Sequence, residues 1–156
     1  MSIEVGKLAP PFNLPDQTGK SHTLDDLKGK TTLIYFYPKD ETPGCTQQAC
    51  SLRDNFEELQ AKGIDVIGVS KDDVASHAKF VTKHDLPFAI LADTDGKMVD
   101  DYGAWAEKSM YGRKFMGIVR SAVLIGPELQ ILAHWPKIQP LKTVPEVEKW
   151  LQTNPQ

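Results

Sequence analysis

The stretch Thr31-Thr32-Leu33-Ile34-Tyr35-Phe36-Tyr37-Pro38-Lys39-Asp40-Glu41-Thr42-Pro43-Gly44-Cys45 decides the fold. Residues 31–37 show no polar alternation and are too few for a compelling helix, so they read as a central strand covered on both faces. Pro38 ends that strand, because proline cannot donate to a sheet ladder. From residue 45 to 62 the apolar positions Ala49, Leu52, Phe56 and Leu59 recur at intervals of three and four, which is one face of a helix. Gly63 is the expected stop. Cys45 therefore sits in the first turn of a helix that follows the carboxyl end of a strand. Backbone N–H groups at a helix start are unpaired and carry partial positive charge, and both features favour a thiolate. Five residues on comes Cys50, and the chain has only these 2 cysteines. One thiol placed to ionise with a second close in sequence is a redox arrangement.

Outward from this stretch, residues 64–70 read as the next strand. Asp72 or Asp73 caps a helix over 74–84, with Ala78 and Val81 on one face. Residues 86–91 are extended and apolar, Asp93 to Gly96 form a turn, and a short helix covers 97–102 before Gly103. Residues 110–117 read as a loop carrying exposed apolar side chains, suited to lining a substrate entrance or meeting a partner protein, or equally as a hairpin. A strand over 118–125, a turn at Gly126-Pro127-Glu128 and an antiparallel strand over 129–135 follow. The last helix covers 143–153, with Val144, Val147, Trp150 and Leu151 inward. Toward the N-terminus, Asp16 to Lys20 separate two short strands of a hairpin, and Leu24 to Leu27 form a helical turn.

Composition narrows the function classes. A chain of 156 residues with 40% hydrophobic and 25% charged content suits one domain over 1–156. The formal net charge of −3 and the absence of a basic run argue against nucleic acid. No stretch approaches the roughly 18 apolar residues of a membrane span. The start of the chain lacks the basic and apolar regions of a secretory signal. Two cysteines in such a chain point to a reducing, cytoplasmic setting, where a disulfide is transient and catalytic. Neither a GxGxxG nor a Walker pattern occurs, so nucleotide binding has no support. His77 and His84 lie seven apart on one helix without a patterned third ligand, which makes a metal site improbable.

Pro38, Thr42 and Cys45 fit the Pro-x-x-x-Thr/Ser-x-x-Cys signature of the peroxiredoxins. With Cys50, the run Thr42-Pro43-Gly44-Cys45-Thr46-Gln47-Gln48-Ala49-Cys50 resembles the bacterioferritin comigratory, or peroxiredoxin Q, type. The likeness extends from Lys7-Leu8-Ala9-Pro10-Pro11-Phe12 through Gly117-Ile118-Val119-Arg120-Ser121. It departs at Gly126, where the family usually has an aspartate, a change expected to touch a turn. The order of elements matches a thioredoxin-like α/β fold, a central mixed sheet flanked by helices, with the N-terminal hairpin as an extension. The resemblance implies a thiol peroxidase without metal or other cofactor. Cys45 would reduce hydrogen peroxide or an organic (alkyl) hydroperoxide and become a sulfenic acid, and Cys50 would resolve it as an intramolecular disulfide. Thioredoxin or a similar dithiol protein would regenerate the enzyme. Thr42 and Arg120 would hold the peroxide, and Pro38 would rigidify the loop and shield the thiolate. A resolving cysteine on the same chain favours a monomer. Two rivals remain: a thioredoxin-like protein disulfide oxidoreductase, which normally separates its cysteines by two residues, and a copper-binding module of the same fold, which needs a histidine beside the thiols.

Magnitudes show why the threonine and the arginine matter. An ordinary thiol with pKa near 8.5 is about 3% ionised at neutral pH, so complete ionisation raises the rate only about thirtyfold. Larger gains require positioning of the peroxide and stabilisation of the departing oxyanion. Helix geometry constrains the second step. Residues five apart in a regular helix have Cα atoms about 8.6 Å apart. A disulfide needs them within about 7 Å. The first turns must unwind before Cys45 and Cys50 can join.

Overall fold

A computed structural model describes residues 3–154, so the outermost residues of the 1–156 reading lie outside it. Five strands form the central sheet: β3 (Thr31–Phe36), β4 (Ile64–Ser70), β5 (Ala89–Ala92), β8 (Ser121–Ile125) and β9 (Ile131–Trp135). Their order is β5-β4-β3-β8-β9. Strand β3 runs parallel to β4 and antiparallel to β8, with Ile34 opposite both Ile67 and Val123. Every residue of β3 is buried, as its unbroken apolar run demands. Leu33 and Tyr35, followed by Tyr37, point into one core, and Ile34 and Phe36 into the other. That alternation is the two-residue period of a pleated strand.

Helices cover both faces, as expected. On the side of Leu33, Tyr35 and Tyr37 lie α1 (Pro43–Asp54), α2 (Phe56–Ala61), α3 (Val74–His84) and α5 (Thr143–Thr153). On the other side α4 (Lys97–Asp101) packs with Phe12, Leu24 and Leu27 of the N-terminal segment. That segment contains the hairpin of β1 (Asn13–Pro15) and β2 (Ser21–Thr23). Buried Ala49 and Leu52 hold α1 on the sheet, and truncating a buried leucine such as Leu52 to alanine costs about 2–5 kcal/mol.

Two sequence expectations need correction. The helix over 45–62 is two helices, because Asn55 (φ −108°, ψ 7°) interrupts it and its side chain donates to the Ser51 carbonyl at 2.8 Å. Such back-bonding bends helices. The strand over 118–125 is also divided. Residues 113–118 belong to β7 (Arg113–Ile118), and Val119 and Arg120 separate it from β8. The segment over 110–117, open in sequence between a loop and a hairpin, belongs to a hairpin of β6 (Trp105–Met110) and β7, turned at Tyr111 and Gly112, both with positive φ. Met110, Tyr111, Phe115 and Met116 are exposed on it, as anticipated. In α3 the fully buried side chains are His77 and Phe80, with Ala78 and Val81 only partly covered. Gly126 does lie in a turn, donating to the Gln130 carbonyl and accepting from Leu129.

Candidate active site

Pro38 stands half-buried just past the end of β3. The chain then descends to Thr42, the N-cap residue of α1, whose hydroxyl donates to the Lys39 carbonyl at 2.8 Å. This bond folds the loop on itself and leaves the hydroxyl's lone pairs available to accept. Pro43 occupies the first helical position, where its missing N–H costs nothing. The first helical bond runs from the Thr46 N–H to the Thr42 carbonyl at 2.9 Å, so the Gly44 and Cys45 amides precede the ladder. Cys45 thus lies in the first turn of α1, its side chain 1% exposed.

Arg120 reaches Cys45 from the break between β7 and β8. Its Nη2 lies 3.3 Å from Sγ, and its Nη1 donates to Gln48 Oε1 at 2.7 Å. Gln48 in turn donates to Thr143 Oγ1 at 2.9 Å, and that hydroxyl donates to the Gln139 carbonyl at 3.1 Å. The planar fork is therefore aimed by α1 itself and by the start of α5. Gly44 makes room for it, since a Cβ there would stand 3.2 Å from Nη2. Both cysteines are free. Five residues of helix rotate Cys50 about 140° from Cys45, so Cys50 looks toward α3, its Sγ 3.9 Å from His84 Nδ1.

A buried polar network secures the loop. The Asp40 carboxylate accepts from Tyr37, from Ser76 at 2.8 Å and from His77 Nδ1 at 2.7 Å, and the other ring nitrogen of His77 faces the Leu91 carbonyl at 2.9 Å. The Asp40 amide donates to Asp72 at 2.8 Å. Burial opposes the Asp40 charge, yet the hydrogen bonds from His77 and Tyr37 and the field of His77 outweigh it and hold the carboxyl below its ordinary value. Asp40, Asp72 and His77 are, among the described residues, the one trio of donors close enough for a metal ion. The hydrogen bonds just given already engage all three. His77 and His84 do not meet: one serves this network and the other faces Cys50.

The AhpC/TSA family profile matches residues 5–134. The peroxiredoxin Bcp of Bacillus subtilis is 41% identical over 153 residues, 98% of this chain and 96% of that protein. Its namesake in Escherichia coli is 44% identical over 129 residues, 83% of each. The chain belongs to the AhpC/TSA family. Among solved structures, the bacterioferritin comigratory protein of Xanthomonas campestris superposes with a TM-score of 0.89 at 30% identity, covering 98% of this chain and 100% of that one. A variant of Xylella fastidiosa PrxQ gives 0.91 at 28% identity, covering 99% and 98%. This peroxiredoxin of the Bcp, or Q, type has the thioredoxin-like fold and is a thiol-dependent peroxidase, taking a peroxide as substrate and a thiol as reductant.

For this peroxiredoxin the motif pointed to Pro38, Thr42 and Cys45 and the wider resemblance to Cys50 and Arg120, and the structure gathers Cys45 and Arg120 directly. Gln48 was missed, because its burial and its bonds to Arg120 and Thr143 arise only where α1 meets the start of α5. Gly44 within a first helical turn was a readable signal. Glu41, Asp40, His77 and His84 act through tertiary contacts that no local pattern announces. A groove lined by Trp135 and Trp150 involves none of these residues.

Proposed function

We propose that Cys45 is the peroxidatic nucleophile and that Cys50 resolves it within one chain. The carrying observation is the guanidinium of Arg120, 3.3 Å from Cys45 Sγ and held by Gln48. The Cys45 thiolate attacks one oxygen of the peroxide. The O–O bond breaks, the sulfur becomes a sulfenic acid, and the second oxygen departs as hydroxide or alkoxide and takes up a proton. Arg120 offers planar donors both to the sulfur and to the oxygen that gains charge. Thr42 accepts from the peroxide hydroxyl, and Pro38 stiffens the loop. The nearly covered thiol favours small oxidants, hydrogen peroxide or an alkyl hydroperoxide. The similar Xanthomonas protein has alkyl peroxide reduction activity.

The N-terminal turns of α1 then unwind, Cys50 attacks the Cys45 sulfenic sulfur, and water leaves. A thioredoxin-type dithiol reduces the exposed disulfide. The working unit is a monomeric single domain of the cytoplasm, in keeping with both thiols residing on one chain and with the sparing use of cysteine. A copper-carrier reading is weaker: His84 does lie beside Cys50, but Cys45 faces Arg120 and not that histidine. The deciding experiment is peroxide titration of the reduced protein followed by intact mass. A loss of two hydrogens from the monomer is expected, and an unchanged mass would remove the cycle.

A further inference from the structure

Cys50 does not stand alone. Its Sγ is 3.9 Å from His84 Nδ1, and His84 Nε2 lies 2.9 Å from Glu41 Oε1. The second Glu41 oxygen accepts from Lys83 Nζ at 2.8 Å. A carboxylate facing Nε2 keeps the proton on that nitrogen and leaves the lone pair of Nδ1 directed at the thiol. This is the thiol–imidazole–carboxylate order by which a base activates a sulfur nucleophile, and in the resting state such contacts are often long. Two features indicate that the array is built and not incidental. Glu41 holds a left-handed backbone, φ 65°, which a non-glycine residue adopts at a steric cost. Arg53, one turn after Cys50 on α1, donates to the His84 carbonyl at 2.7 Å and clamps the end of α3 against α1. The His84 ring also rests edge-on against Phe80, centroids 5.1 Å apart.

We infer that His84 is the general base of the resolving step, oriented by Glu41. The inference rests on the reading of Cys50 as the resolving thiol. The Cys50 S–H proton passes to His84 Nδ1, while Nε2–H remains on the ring and donates to Glu41 Oε1. The Cys50 sulfur then attacks the sulfur of the Cys45 sulfenic acid. The S–S bond forms, the S–O bond breaks with its electron pair on oxygen, and that oxygen takes up a proton to leave as water. One sulfur is oxidised and the other reduced, so no further oxidant is needed. The charged groups around His84 are Cys50 and Arg53 from α1, Glu41 from the loop, and Lys83 and Asp85 from α3 and its cap. Glu41 also belongs to the loop that carries Cys45. The Cys50–His84–Glu41 alignment belongs to the folded state, so the proton transfer precedes the unwinding of α1 that brings the two sulfurs together.

The test separates the two chemical steps in the full-length protein. Reduced wild type, His84→Asn and Glu41→Gln each receive one equivalent of hydrogen peroxide. They are quenched in acid at intervals, alkylated, and weighed intact to follow thiol, sulfenic acid and disulfide. His84→Asn should still form the sulfenic acid, which reports a folded first-step site. At neutral pH its disulfide should appear about ten- to thirtyfold more slowly, the upper bound being complete ionisation of an ordinary thiol that is about 3% thiolate there. The deficit should shrink toward twofold by about pH 9.5, where hydroxide ionises thiols without help. Glu41→Gln, altering an exposed side chain and leaving the ring in place, should show a smaller deficit with the same pH trend. Disulfide formation in His84→Asn as fast as wild type at neutral pH, or slowed equally at every pH, overturns the base. Wild type that stops at the sulfenic acid overturns the resolving role of Cys50 itself.

Discussion

Replacing Arg120 by lysine separates charge from shape at the proposed peroxide site. An ammonium near the position of Nη2 keeps the attraction for the sulfur, about 5 kcal/mol for unit charges 3.3 Å apart at an effective dielectric of 20. A lysine cannot keep the second arm, the 2.7 Å bond to Gln48 that aims the fork. A hydrogen bond to a charged group contributes about 1.5–3 kcal/mol, so a transition state that depends on that aim should lose about ten- to a hundredfold in rate. Stopped-flow measurement of sulfenic acid formation gives the rate constant. Thiolate absorbance across pH, measured on the same variant, gives the ionised fraction. The expected result is a rate reduced at least about tenfold with a nearly unchanged thiolate profile. Parallel loss of rate and thiolate would mean that Arg120 acts only as a charge, and the positioning role would be refuted.

Cys50→Ser should react once with peroxide and leave Cys45 as a sulfenic acid that dimedone labels; unimpaired turnover with thioredoxin would return Cys50 to a structural role. Amide exchange in the disulfide form should quicken over α1, Pro43–Asp54, and stay slow in α2. Equal protection of α1 in both redox states, with the disulfide confirmed by mass, would contradict the unwinding. The Asp40 carboxyl is held below its ordinary value in the folded protein, so its stabilisation is complete above about pH 4 and fades as pH falls through the lowered folded value. Asp40→Asn should therefore cost about 3–5 kcal/mol at neutral pH, as for a broken buried pair, and the gap in urea midpoints should narrow below about pH 4. A gap independent of pH would show that the carboxylate charge is not what anchors the loop.

The strand, loop and cysteine were legible because each has a local cause. An unbroken apolar run can bury two faces only at the centre of a sheet, and Pro38 and Gly63 punctuate the elements that follow. The break at Asn55 escaped notice because Ala49, Leu52, Phe56 and Leu59 stay in phase across it, and the kink depends on one side-chain bond to Ser51. The β6–β7 hairpin lacked alternation, since much of it is exposed on both sides, and its Tyr111–Gly112 turn is not the usual Asn-Gly signal. Apolar residues on either side hid the gap at Val119 and Arg120. The same limit applies to the site. The resemblance joined Cys45 to Arg120, but Gln48, Glu41 and His84 gain meaning only when α1, α3 and α5 meet.

The interruption at Asn55 also bears on speed. Under the proposed cycle, each turnover contains a miniature folding reaction, in which a few turns of helix melt and reform. Phe56 and Leu59 are buried in α2, beyond the break, so the melted segment rewinds from an anchored end and not from free chain. Helix formation in peptides relaxes within about a microsecond, while a typical enzyme turns over about ten times per second. Rewinding is thus about five orders of magnitude faster than such a cycle. Rewinding therefore adds almost nothing to the turnover time of such a cycle.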